Sequence, residues 1–379
     1  MLEKMSEDKY WLGFNLVKGV GPAKIQALLS YCGDIKAAWE ADSELLDKLG
    51  FDKRAKENLI HARGTLDLDR ELEKVRSKHI NILTWDSPDY PSYLREVDGP
   101  PPLLYIVGSL EDIDRWAVAV VGTRRVTAYG RQMTQEIVAG LVRNGVTIIS
   151  GLARGVDAIA HKTALEHGGR TIAVLGSGPD NVYPPEHRDL ARKIVRGRGA
   201  VISDYPLGTE PEARNFPPRN RIISGLSLGV VVVEAGDRSG ATITAKRALE
   251  QGREVFAVPG NVNKAASRGT NRLIQRGEAK LITNASDVLE ELNLHMVFEH
   301  TAVQKALPET KEEAALFDHL SGEPIHIDAL SRATGLSSQV VSSTLTLLEL
   351  KGIVRQVGGM NYVMVREPEP AYEVTPPAE

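Results

Sequence analysis

Gly229-Val-Val-Val-Val-Glu234 is the stretch that most narrows what this chain can become. Four consecutive β-branched residues suit a strand covered on both faces, as in a parallel sheet flanked by helices. A small-residue turn follows, Ala235-Gly-Asp-Arg-Ser-Gly240, and then a helical pattern from Thr242 to Gln251. Ahead of the strand, Arg214-Asn-Phe-Pro-Pro-Arg219-Asn220-Arg221 reads as a basic loop. A tight turn between a strand end and a helix start leaves backbone N–H groups free to face an anion. Arg219, Arg221, Arg238, Lys246 and Arg247 lie close by in sequence. The stretch therefore reads as the centre of a phosphate-backbone site.

The same alternation runs through the middle of the chain. Strands are expected at 117–121, 146–150, 171–175, 200–203, 229–234, 254–258 and 279–282, with helical patterns between them. Met133, Ile137 and Leu141 fall on one helix face. Such a pattern implies an α/β, extended Rossmann-like, doubly wound and mostly parallel sheet, which binds ligands beyond the carboxyl ends of its strands. Glycines sit there four times: Gly122-Thr123-Arg124-Arg125, Gly151-Leu-Ala-Arg154, Gly176-Ser-Gly and Gly236-Asp-Arg-Ser239-Gly240. None is a full Gly-x-Gly-x-x-Gly fingerprint, so a nicotinamide cofactor is not supported and no cofactor is expected.

Charge is uneven. The whole chain carries a net −4, yet residues 120–280 hold 24 Lys and Arg against 14 Asp and Glu, leaving the ends acidic. A basic middle can attract a polyanion locally even when the total is negative. A single cysteine, Cys32, excludes an internal disulfide and a multi-cysteine zinc site. No apolar run approaches the ~18 residues of a membrane span and no signal-peptide pattern opens the chain, so a cytoplasmic protein is expected.

Around this core lie smaller parts. Residues 1–65 read as short helices. Within them Gly19-Val-Gly21-Pro22 resembles a helix-hairpin-helix turn, while the abundance of Asp and Glu favours a helical interaction domain of the sterile-alpha-motif kind. Residues 66–115 extend the core domain, taken as 66–292, with a charged helix and edge strands. A linker at 293–311 leads to three helix patterns at 312–320, 327–334 and 337–351. A hairpin across Gly358-Gly359 completes a winged-helix pattern over 312–366. The last helix offers mainly Ser and Thr, which favours a protein contact or accessory role over duplex reading. Residues 367–379, rich in Pro and Glu, are expected to be disordered.

Five blocks in order resemble the DNA-processing protein A family (DprA, also called Smf). They are Val120-Val-Gly-Thr-Arg-Arg, Ser150-Gly-Leu-Ala-Arg-Gly-Val-Asp-Ala-Ile-Ala-His161, Leu175-Gly-Ser-Gly-Pro-Asp-Asn-Val-Tyr-Pro-Pro-Glu, Phe216-Pro-Pro-Arg-Asn-Arg-Ile-Ile-Ser-Gly and Ser239-Gly-Ala-Thr-Ile-Thr-Ala-Lys-Arg. The resemblance implies a core that binds and protects single-stranded DNA, forms a homodimer through the Rossmann domain, and helps load the RecA recombinase during natural transformation. Position by position it points to Gly122, Thr123, Arg124, Gly151, Arg154, Phe216, Arg219, Asn220, Arg221, Ser239, Gly240 and Lys246 as DNA-binding residues. Arg124 is the first choice for a phosphate contact. Phe216 is a candidate stacking platform for unpaired bases, with Tyr183 and Tyr205 equally open to plain packing. Asn220 is expected to fix the loop.

A nucleotide-binding or nucleotide-hydrolysing enzyme of the same Rossmann superfamily is the alternative. The turn Ala235–Thr242 lacks the Pro-Gly-Gly-x-Gly-Thr block of those enzymes. Asp157 and His161 share a helix face at i, i+4 spacing and could form an acid–base couple, but a structural role is favoured. No catalytic residue and no metal ligand is assigned.

Overall fold

The computed structural model describes residues 2–197, 199–237, 239–294, 310–320, 325–350, 354–356 and 360–364. Arg238, most of the expected linker, the Gly358-Gly359 turn and the 367–379 tail lie outside the described residues. The chain divides into two compact units, residues 1–294 and 295–379.

The first unit opens with helices α1 (Leu2–Leu16), α2 (Pro22–Cys32), α3 (Ile35–Glu40), α4 (Ser43–Lys48), α5 (Lys53–Thr65) and α6 (Leu68–Ser77). Asp34, Asp42, Asp52 and Asp67 each cap the helix that follows by accepting a backbone N–H. The frequent acidic residues here thus have a local task, holding helix starts against free N–H groups. Trp11, Phe14, Ile25, Leu28 and Leu59 form the core of this layer, and that core continues into Leu103 and Tyr105 of the central sheet.

The sheet has nine strands: β1 (Asn81–Thr84), β2 (Leu103–Gly108), β3 (Ala117–Val121), β4 (Thr147–Ser150), β5 (Thr171–Val174), β6 (Ala200–Ser203), β7 (Gly229–Val232), β8 (Glu254–Ala257) and β9 (Lys280–Leu281). Their order is β1-β2-β6-β5-β4-β3-β7-β8-β9. Strands β3 to β9 pair in parallel, while β1 and β2 add antiparallel ladders outside β6. Every residue of β3 to β7 is buried, as a doubly covered sheet requires.

Connecting helices are α7 (Ser92–Arg95), α8 (Ala128–Arg143), α9 (Val156–Glu166), α10 (Arg188–Arg196), α11 (Phe216–Gly225), α12 (Gly240–Glu250), α13 (Arg268–Gln275) and α14 (Ala285–Glu291). Ile222, Ile223, Ala241, Ala245 and Leu273 of α11 to α13 cover one sheet face with Ala119, Val230 and Val255. On the opposite face α9 and α10 bring Ala158, Leu190 and Ile194 against Ala173, Leu175 and Val201. From β3 the chain steps outward through β4, β5 and β6, then returns to place β7 on the other side of β3. The crevice beyond the carboxyl ends of β3 and β7 is therefore the topological switch point.

One expectation needs correction. The stretch beginning at Arg214 is not a basic loop, because from Phe216 it is α11. Pro217 and Pro218 fall in the first turn, where a missing N–H removes no helical bond, so two prolines start this helix instead of breaking it.

The second unit contains α15 (Lys311–Phe317), β10 (Ile325–His326), α16 (Ile327–Thr334), α17 (Ser338–Leu350), β11 (Val354–Gln356) and β12 (Asn361–Met364). Its small antiparallel sheet has the order β10-β12-β11. Leu316, Leu330, Val341, Leu345 and Tyr362 make its core. Three helices with a strand hairpin behind the last helix form a winged helix. Among the described residues no helix is long and apolar enough to cross a membrane.

Candidate nucleic-acid interface

The switch point opens into a cavity of about 740 Å³. Three chain segments converge on it: the loop after β3, the first turn of α11, and the first turn of α12. Each has a reason to stand where it does.

The loop after β3, Gly122-Thr123-Arg124-Arg125, is tied to the end of β7 by the Thr123 amide, which donates to the Glu234 carbonyl at 2.7 Å. Glu234 is 4 % exposed, and its carboxylate accepts from the Thr127 amide at 2.9 Å and the Thr127 hydroxyl at 2.8 Å. A buried carboxylate at the start of α8 meets the positive end of that helix. Glu234 thus clamps both ends of the loop that presents Arg124. From the other side the turn before α9 presses in: Gly155 has φ +79°, and a Cβ there would stand 2.2 Å from the Thr123 carbonyl oxygen.

α11 contributes Phe216, Arg219 and Asn220. The Phe216 ring lies over Gly176 so closely that a Cβ at that glycine would come within 2.8 Å of it. The turn after β5 therefore serves to seat the ring, and its residues do not line the cavity. Two of the guanidinium groups that reach the cavity approach this ring, Arg124 at 5.6 Å and Arg219 at 5.8 Å from its centroid. Tyr183 stands at 5.9 Å from it, tilted by 41°. Cations at this distance from a ring face are held by its quadrupole.

The two arginines differ in duty. Arg124 is exposed. Arg219 is 4 % exposed and donates to the carbonyl oxygens of Gly151 and Val174, and to Asn220 Oδ1 at 3.3 Å. It therefore ties the end of β4 to the end of β5. Burial lowers its pKa to about 10, with Asp157 and Asp204 opposing that shift, so it is charged at neutral pH. The Asp157 carboxylate accepts from the amides of Gly151 at 3.1 Å and Ala153 at 3.3 Å, while burial pushes its pKa upward against the pull of Arg219. Arg219 thus supplies fixed positive charge behind Phe216, and Arg124 supplies the exposed donor in front.

α12 brings Ser239, Gly240 and Ala241 to the opposite wall. Ser239 caps the helix, its hydroxyl accepting from the Ala241 amide at 3.3 Å. The positive end of an eleven-residue helix is directed at the cavity.

Of the residues singled out on sequence, Gly122, Thr123, Arg124, Phe216, Arg219, Asn220, Ser239 and Gly240 line the cavity. Gly151 stands behind it, bonding Asp157 and Arg219. Three stand apart. Arg221 points the other way along α11, donating to the Gly99 carbonyl and pairing with the half-buried Asp204 at 3.3 Å. Lys246 is on the outer face of α12, 3.8 Å from Glu250. Arg154 pairs with Glu186 on the surface. Grouping Arg221 and Lys246 with Arg219 by nearness in sequence missed the helical rotation that turns both away from the cavity. Asp157 and His161 likewise bond separate partners, His161 Nδ1 lying 2.7 Å from the Thr171 hydroxyl. Sequence reasoning did not single out Arg125, which also lines the cavity, or Glu234. The only available sign for Glu234 was an acid closing an apolar strand.

An open α/β sheet with a cationic, aromatic crevice at its switch point, followed by a winged helix, defines a Rossmann-type protein with an appended winged-helix unit. The chain belongs to the DNA recombination-mediator protein A family, whose model matches residues 81–293. The model of the DprA winged helix domain matches residues 300–360. Protein Smf of Synechocystis is 37% identical over 94% of this chain and 98% of its own length. DNA processing protein DprA of Bacillus subtilis is 42% identical over 59% of this chain and 75% of its own. The X-ray structure of DprA from Streptococcus pneumoniae superposes with a TM-score of 0.66 at 37% identity, covering 75% of this chain and 97% of that one. The Helicobacter pylori protein, described as having a unique single-stranded DNA binding mode, gives a TM-score of 0.51 at 32% identity over 56% of this chain and 95% of that one.

Proposed function

We propose that the switch-point crevice binds single-stranded DNA, with Arg124 on the phosphate backbone and Phe216 under an unpaired base. The observation that carries this reading is the placement of Arg124 and Arg219 about the Phe216 ring beside the capped start of α12. An exposed guanidinium and a helix N-terminus suit phosphate, and an aromatic face suits a base. The single-strand binding described for the Helicobacter pylori relative supports the same reading. Protection of the strand, loading of RecA recombinase in natural transformation, a homodimer through the Rossmann domain and a cytoplasmic setting complete the proposal. The family likeness, not the crevice, is what supports these parts. Within it Asp157 and Arg219 are committed to structural bonds, which supports binding over nucleotide hydrolysis.

Arg124→Ala should weaken binding of a dT oligonucleotide by at least roughly tenfold at moderate salt and lower the salt slope by about one. Arg124 is exposed, so the melting temperature should stay near that of the parent. Unchanged affinity in fluorescence anisotropy would remove Arg124 from the site. Turnover of a nucleoside monophosphate by the parent chain would favour an enzyme instead.

A further inference from the structure

A second concavity, of about 330 Å³, lies on the sheet face that carries α10, away from the crevice. Its floor is aliphatic: Val107 of β2, Val201 of β6, Val182 of the preceding loop and Val195 of α10. Val107 is where two core clusters meet, that of the N-terminal helices and that of α9 and α10, and it is covered completely by neither.

One wall is a row of cations. Arg188, Arg192 and Arg196 stand at i, i+4 and i+8 on α10, and all three are exposed. Like charges at this spacing cost a helix about 0.2–0.5 kcal/mol per pair, so local stability does not explain the row. Among the described residues Arg188 and Arg196 have no ion-pair partner, and Arg192 meets only Asp189, in a pair 66 % and 81 % exposed. Surface pairs of that kind are weak and readily exchanged. The one carboxylate in the concavity, Asp180, is already engaged by Lys78 at 3.2 Å and by the Gly208 amide at 2.9 Å.

We propose that this groove docks an acidic segment of a partner protein, apolar side chains seated on the valines and carboxylates facing the arginine row. Charge complementarity selects the occupant. A nucleic acid also carries negative charge, but its bases want aromatic faces, and the groove lining has none. Aliphatic floor plus guanidinium wall is the complement of alternating Leu or Phe and Glu. Arginine is suited to the wall because its fork meets a carboxylate through two bonds. The groove is independent of the crevice: no residue lines both.

The test uses the full chain and a short fluorescein-labelled peptide alternating Glu with Leu and Phe, read by anisotropy. Binding should fall in the roughly micromolar range, as a small groove allows. Arg192→Glu with Arg196→Glu should weaken it at least roughly tenfold without shifting the thermal melt, because both side chains are solvated. A peptide with Ser in place of Leu and Phe should bind comparably worse, and dT oligonucleotide affinity should be unchanged in the double variant. The proposal is overturned if the peptide does not bind, if the charge reversal leaves its affinity intact, or if the Ser peptide binds equally. It is also overturned if the double variant loses oligonucleotide and not peptide, or alters self-association of the free chain.

Discussion

At the scale of single residues, the molecule's buried charges and bare polar atoms define what it can tolerate. His161 is fully buried, and its Nδ1 lies 2.7 Å from the Thr171 hydroxyl, which itself donates to the Ile148 carbonyl. Because that hydroxyl's hydrogen is spent, Nδ1 must carry the proton and donate, leaving Nε2 as a lone pair with no partner. A ring held neutral in this way resists protonation. Burial, aided by His187 and Arg219, lowers the pKa from 6.5 to about 3. The stabilisation this represents is complete above the unfolded value of 6.5 and is lost as pH falls toward 3, since over that window the unfolded chain binds the extra proton. Urea denaturation should therefore show stability dropping below pH 6.5 by about 1.4 kcal/mol per pH unit from this group alone. His161→Leu should flatten that part of the profile while lowering stability at neutral pH, because the Thr171 hydroxyl loses its donor. An unchanged acid slope in the variant would mean that His161 is protonated in the fold.

At the scale of elements, the crevice is made by loops held at both ends, and its precision rests on contacts between backbones. The Gly122–Arg125 loop is trapped between the Glu234 clamp and the turn before α9, where Gly155 touches the Thr123 carbonyl. Gly155→Ala places a methyl where that oxygen stands, at a φ that L residues rarely adopt. It should cost about 1–3 kcal/mol of stability and push Arg124 off its place over Phe216. Oligonucleotide affinity should fall although no charge has been removed, so the salt slope should remain that of the parent. That separates it from Arg124→Ala, whose slope should drop, and equal affinity in Gly155→Ala would show the loop to be pliant. Legibility in the sequence divides along the same line. The strands and the order of the blocks were readable, because the valine run and the helical spacing are local signals. Phe216, Arg219 and the Gly122–Arg124 loop could be picked out by residue type and motif. Which way Arg221 and Lys246 turn could not, since that depends on the rotation of α11 and α12 against the sheet, set by Ile222, Ala241 and Ala245. The role of Glu234 was hidden for a similar reason: it acts on residues 107 positions away.

At the scale of the first unit as a whole, the segment before β3 belongs to the architecture that supports the crevice. Strand β2 pairs with β6 from Tyr105 opposite Ser203 to Gly108 opposite Ala200, and buries Leu103 and Tyr105 under the N-terminal helices. The same segment braces α11 directly: Leu94 and Val97 share a cluster with Ile222 and Ile223, and a Cβ on Gly225 would come within 2.7 Å of Leu94. Arg221, turned from the crevice, is bonded to the Gly99 carbonyl, and Arg253 donates to the Tyr93 carbonyl at 2.9 Å. Local patterning gives Leu103-Leu-Tyr-Ile-Val as an edge strand but cannot reveal that it underpins a helix more than a hundred residues later. Removal of residues 1–115 would strip β6 of its neighbour and leave an open strand edge, a template for aggregation. It would also uncover one side of α11. Exposing even three buried aliphatic side chains costs about 1.5–3 kcal/mol each, against a usual domain stability of about 5–15 kcal/mol. A chain of residues 116–294 should therefore elute as soluble aggregate and melt without a cooperative transition, whereas residues 1–294 should be monodisperse and melt sharply. If 116–294 instead melts cooperatively at the temperature of 1–294 and binds dT oligonucleotide equally well, the N-terminal segment is an appendage and the bracing of α11 carries no weight.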